Sequence, residues 1–161
     1  MQHMKSTPRQ TLMRSAIGPE IAGALNVLNV LLECHFKDSP AARLLVLGSA
    51  ARAAGGAGKP GVFDLIQAEF TQLRSRGPET LLHAQALLLV ARGAVSLRRW
   101  MLAKECLSEA LASSRRTAQK DTEILAEQLL AQVGKQLLTE REHLPSISNR
   151  DLARRTILLL S

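Results

Sequence analysis

Apolar residues recur every three or four positions along most of this chain, and polar or glycine-proline breaks divide them into helix-length stretches. After Gly18-Pro19, the residues Ile21, Leu25, Leu28, Leu31 and Leu32 mark a helix ending near Lys37, with Pro19 suited to its first turn. Ser39-Pro40 then supplies a capping side chain followed by proline at the first helical position, and the next helix carries Leu44, Leu45, Leu47 and Ala51. The glycine-rich stretch 55–61 is a loop by composition. Beyond it, Phe63, Ile66, Phe70 and Leu73 share one face of a helix over about 62–74, which Gly77-Pro78 ends. Further helices are expected over about 79–95, over about 97–113 with Trp100, Ala103, Leu107 and Ala110 inward, and over about 121–142. The last of these carries Ile124, Leu125, Leu129, Val133 and Leu137. After Leu144-Pro145-Ser146, Asn149 is placed to cap a terminal helix over 150–160. Residues 1–18 read as a tail with a short helix over 8–16, and residues 19–161 as a single helical domain.

Short connections make neighbouring helices antiparallel, so the elements pair as helical hairpins. Within 84–117, Leu87, Val90 and Ala91 form a large, large, small row, with Ala94 where an aromatic would complete it. Trp100, Ala103, Leu107 and Ala110 form a second row, in which small residues let two helices approach and large ones fill the space around them. These rows resemble a tetratricopeptide (TPR) repeat. A weaker copy lies over about 41–76, with Leu44, Leu47, Gly48 and Ala51 in the first helix and Phe63, Ile66, Phe70 and Leu73 in the second. Leu44 and Leu87 stand 43 residues apart where the family repeats every 34, so the extra length is expected in the glycine loop and around Gly77-Pro78. The resemblance implies an all-α fold of antiparallel helical hairpins stacked as a short right-handed solenoid.

Composition agrees. Hydrophobic residues make up 46% of the chain but Phe, Trp and Tyr only 2%, so Leu and Ala, both strong helix formers, fill the core. Two cysteines, Cys34 and Cys106, supply neither a disulfide framework nor a four-cysteine zinc site. No basic, then apolar leader opens the sequence and no apolar run approaches 18 residues, so the cytosol or nucleus is the expected compartment, with no membrane partner. A net charge of +7 favours acidic partners, whether a protein face or a phosphate backbone.

Catalytic chemistry finds little footing. The run 44–48 followed by Gly58-Lys59 imitates a strand and phosphate-binding loop, but Ala53 stands where the motif needs glycine and Pro60 where it needs Ser or Thr. His3, His35, His83 and His143 lack metal-ligand spacing, and the adjacent Cys34-His35 point about 100° apart on a helix. Cys34 and Cys106 read as small buried hydrophobes, and Glu140 and Glu142 as a solvated helix end. No catalytic residue, cofactor or metal is expected, and the chain does not read as an enzyme.

Binding is the better expectation. By resemblance, the concave face of the first helices would carry Gln85, Leu88, Arg92 and Val95 from the better unit and Leu45, Ser49 and Arg52 from the weaker. That apolar and basic mixture suits an acidic or amphipathic protein segment, as an adaptor or scaffold would bind. The TPR subset that clamps chaperone carboxylates uses Lys and Asn where Leu88 and Arg92 stand, so that partner is not implied. The alternatives are a nucleic-acid-associated protein and a structural piece of a larger helical array. Arg92, Arg98, Arg99, Lys104, Arg115, Arg116 and Lys120, with a second cluster at Arg150, Arg154 and Arg155, would serve phosphate contacts, although no Phe or Tyr is interleaved for base stacking. The apolar C-terminal stretch 156–160 would pack on this domain, on a continuation or on a partner.

Overall fold

The computed structural model describes residues 39–143 together with four helical positions upstream, Gly23, Asn26, Val27 and Val30. Those four fall inside the helix expected over 19–37. The expected helices over 8–16 and 150–160, the Cys34-His35 pair and the Arg150 cluster lie outside the described residues. From residue 39 the chain forms α1 (Pro40–Gly56), α2 (Pro60–Arg74), α3 (His83–Ser96), α4 (Trp100–Arg116) and α5 (Lys120–His143). Among the described residues there is no strand, and no helix is long and apolar enough to cross a membrane.

Local chemistry sets the boundaries. Ser39 caps α1, its hydroxyl oxygen accepting the Ala42 N–H at 3.3 Å, with Pro40 in the first turn. Three corners share one construction. At Gly58, Arg98 and Ala118 the backbone turns left-handed, with φ of 65°, 56° and 55°. The next residue's N–H reaches back to a carbonyl of the preceding helix: Lys59 to Ala54 at 3.0 Å, Arg99 to Ala94 and Gln119 to Ser114 at 2.9 Å. That same residue's carbonyl then accepts the first bond of the following helix, from Phe63, Ala103 and Glu123. Each corner therefore ends one helix and starts the next within three residues.

This overturns the expectation of a long glycine loop over 55–61. Gly55 and Gly56 belong to α1, Pro60 and Gly61 to α2, and only 57–59 form the corner. Matched at their corners, Gly58 and Arg98, the two hairpins are 40 positions out of step rather than 43. The long connection is 75–82. Glu79 there accepts two hydrogen bonds from Arg116, and Leu81 offers its carbonyl to Gln119 Nε2 at 2.7 Å. Glu79 and Leu81 thus pin the connection to the end of α4 and the corner that follows it, and α3 begins at His83 rather than at Glu79.

The helices form two layers. α2 packs on α1 and α4 on α3, while α1 and α3 lie side by side. They run in the same direction, since Gly48 faces Ala86 and Gly55 faces Gly93. Arg74–Glu109 and Arg99–Asp64 ion pairs tie α2 to the second hairpin. α5 packs mainly on α4 and only lightly on α3. Between the layers, Phe63, Ile66, Leu87, Val90 and Leu107 are fully buried, and α5 contributes Val133. Each large side chain so buried is worth about 1.5–3 kcal/mol.

Candidate functional site

The outer-layer side of α3 is occupied by Leu87, Val90, Ala91 and Ala94, all fully buried. Its flank toward α1 carries Ala86, Leu89 and Gly93. Helical spacing leaves Gln85, Arg92 and Ser96 on the open face. Shifted by 40, the same stripe on α1 is Leu45, Arg52 and Gly56, with Ser49 beside them at the place Leu89 holds on α3. Most of the residues expected from sequence therefore line one strip: Leu45, Ser49 and Arg92 half-buried, Arg52 and Gln85 exposed. The Ser49 hydroxyl donates to the Leu45 carbonyl of its own turn at 3.0 Å. Leu88 is only 7% exposed and belongs to the core cluster, whereas half-buried Val95 borders a hollow.

That hollow separates α3 from α5. In corner-matched register, Leu88 and Val95 occupy the places that Gly48 and Gly55 hold on α1. A Cβ built on Gly55 would lie 2.5 Å from the Gly93 Cα, and one on Gly93 2.8 Å from Phe63 Cε2, so α1 and α3 touch backbone to backbone. With Leu and Val at those places α5 stands off, leaving about 250 Å³ walled by Val95, Trp100, Leu129 and Val133 and rimmed by Gln132, Lys135 and Gln136. A second, open hollow of about 520 Å³ lies beside Trp100, bounded by Arg98, Met101, Leu137 and Glu140. Trp100, expected to point inward, is half-exposed and donates its indole N–H to Glu140 Oε1 at 2.6 Å. Sequence reasoning passed over the α5 wall. Its signal was present, since Leu125, Leu129, Gln132 and Gln136 follow a helical stripe.

Charge is unevenly placed. α1 and α3 carry Arg43, Arg52 and Arg92 and no carboxylate. Elsewhere several basic residues are neutralised, while Lys59, Arg76, Arg98, Lys104, Lys135 and Arg141 make no ion pair among the described residues. Arg99 forks onto Asp64, Arg115 reaches Glu123 and Glu127, Arg116 grips Glu79, and Lys120 meets Glu123. The Arg116 guanidinium holds the Glu79 carboxyl down to about 2, Arg99 lowers Asp64, and Lys120 with Arg115 lowers Glu123. Of the basic group noted around the better repeat, Arg92, Arg98 and Lys104 make no ion pair among the described residues.

Of the remaining reactive side chains, His83 buries its Nδ1 without a hydrogen-bond partner among the described residues. Burial pushes the Cys106 thiol up to about 11, so it stays protonated at neutral pH. His83 is buried at the start of α3, and that burial, followed by the Arg74 charge, lowers its pKa. The His143 ring sits 2.7 Å from the Thr139 carbonyl of its own helix. Among the described residues no group of three or more His, Cys, Asp or Glu is disposed to hold a metal ion. No family model, curated protein or solved structure matches the chain.

Proposed function

We propose that this chain is a non-catalytic interaction module, an adaptor or scaffold, whose hairpins stack as a short TPR-like right-handed solenoid. Its α1–α3 face takes an acidic or amphipathic partner segment. The same-direction packing of α1 and α3, the repeated corners and the second layer of α2 and α4 support the stacking. Charge segregation carries the binding. Arg52 and Arg92 share the open strip of two helices that carry no carboxylate, and neither makes an ion pair among the described residues.

A labelled synthetic helix of about 15 residues, with Leu at three- and four-residue spacing and Glu elsewhere, tests this. Arg92→Glu and Arg52→Glu should each weaken its binding about tenfold and slow association. Lys104→Glu makes the same charge change at an exposed site on α4 and should leave binding unaltered. Equal losses in all the variants would replace this reading with general electrostatics and advance the nucleic-acid alternative.

One observation favours the array reading as a complement. Ile124, Ala131 and Leu138 recur every seven residues on the side of α5 away from its buried Ala126 and Val133, with Ile124 50% and Leu138 62% exposed. A further helix packed there would cover them. Leu138→Lys should then lower the melting temperature, while an unchanged melt would count against such a helix.

A further inference from the structure

We infer that the hollow between α3 and α5 seats one apolar side chain of the acidic partner segment, packed against Trp100, while Arg92 and Lys135 take its carboxylates. The inference rests on the interaction reading above and adds the place where the partner is anchored. Size supports a side chain over a cofactor, because about 250 Å³ is below the roughly 300–1,000 Å³ of small-molecule sites. The walls Val95, Leu129, Val133 and Trp100 reward burial of a Leu- or Phe-like group. No carboxylate lines the hollow, and Arg92 lies one turn before Val95 on α3, about 60° around the helix.

The α5 wall is extended. Leu125, Leu129, Gln132 and Gln136 continue it for about 16 Å, three helical turns, with Leu125 41% exposed. An amphipathic helix of that length would lay one apolar edge into the gap and one acidic edge toward α3. The chain's own segments are poor occupants on charge. Residues 144–161 carry Arg150, Arg154 and Arg155 against Asp151, and residues 1–38 carry Lys5, Arg9, Arg14 and Lys37 against Glu20, Glu33 and Asp38. A second copy brings its own net charge of +7. The complementary occupant is a separate, acidic helix.

Trp100 is the sole tryptophan and borders both hollows, so its emission reports a ligand at either, and Gln132→Phe assigns the signal to the one between α3 and α5. The probe is the Leu/Glu helix already described, followed both by its own label and by Trp100 fluorescence. Binding should shift the Trp100 emission to shorter wavelength. Replacing the probe's central leucines by alanine, or filling the hollow with Gln132→Phe, should weaken binding about tenfold. Gln132 is exposed, and a melt of the variant confirms folding. Binding that depends on Arg92 but leaves Trp100 silent and ignores Gln132→Phe would overturn the anchor and leave the interaction reading standing. No binding, binding indifferent to Arg52 and Arg92, or displacement of the probe by a mixed-sequence oligonucleotide would overturn both.

Discussion

The α1–α3 and α3–α5 contacts use the same places on successive helices and come out differently. In the first, Gly48 and Gly55 let α1 settle onto α3 until backbone meets backbone, with Ala51 and Gly93 interlocked beside them. In the second, Leu88 and Val95 stand at those places, Val95 bordering the hollow, and α5 packs mainly on α4. The corners do not cause the difference, because all three have the same left-handed turn and the same hydrogen bonds. Two side chains at the helix contact therefore decide whether a pair of neighbours closes or leaves a gap. The closed pair forms a block with little room to adjust, and the open pair is where a foreign side chain has space to enter.

Gly55→Val gives the closed contact a residue of the open one. Its Cβ would collide with the Gly93 backbone, which cannot move as a flexible side chain would. We expect a loss of about 3 kcal/mol or more, read as a lowered urea midpoint. An unchanged midpoint would mean that α1 and α3 do not touch as described. Val95→Ala is the counterpart in the open contact. Val95 is half-buried beside an existing hollow, so its truncation should cost about 1 kcal/mol or less. It should also increase acrylamide quenching of Trp100, and quenching equal to the unaltered protein would place Trp100 outside the gap.

Much of this was legible in the sequence, for reasons specific to each residue. Ser39-Pro40 announced the start of α1 because capping oxygen and fixed proline φ act locally. Phe63, Ile66 and Phe70 announced α2 through their helical spacing. The glycines misled. Composition reads 55–61 as a loop, yet Gly55 is in a helix because another helix needs its missing Cβ, a requirement that only the tertiary contact reveals. The same long-range cause hid the site. Leu88 and Arg92 look equivalent as candidates by resemblance, but Leu88 is buried in the core cluster and Arg92 is only half-buried. On α5 the apolar row read from sequence includes Ile124 and Leu125, which are exposed, whereas the buried side is Thr122, Ala126 and Val133, too small and polar to announce itself as a core stripe.

The corners share one geometry in both regions and should respond alike to substitution. L-residues in the left-handed region pay roughly 1–2 kcal/mol, and glycine gives back part of that through a freer unfolded chain. Arg98→Gly and Ala118→Gly should each stabilise by about 0.5–1 kcal/mol, and Gly58→Ala should destabilise by a similar amount. Thermal melts compare the three directly. A stabilisation at one corner without the other would show that the turns differ in energy despite their shared geometry.

The smallest expected effect concerns the one connection that does differ, the 75–82 segment pinned to α4. Arg116 holds Glu79 at about 2, against an ordinary value of 4.5. As pH falls, the unfolded carboxyl therefore takes up a proton before the folded one, and the unfolded state gains. The contribution is complete above about pH 5 and is lost progressively toward pH 2. Its size is roughly half a kcal/mol or less, because solvent reaches the pair and screens it. His83 acts in a higher window. Burial lowers its pKa below 6.5, with Arg74 and Arg116 opposing its charge and Glu109 and Glu79 favouring it. The unfolded imidazole consequently protonates first as pH drops through about 6.5, and stability declines from there. Urea midpoints measured from pH 8 to pH 2 separate the two groups. Glu79→Gln should flatten only the segment between pH 5 and pH 2, and His83→Gln only the segment below about pH 6.5. A Glu79→Gln profile that still falls in parallel with the unaltered protein below pH 5 would show that Arg116 does not bind the connection through this carboxylate, and the length of 75–82 would then need another reason to stay against α4.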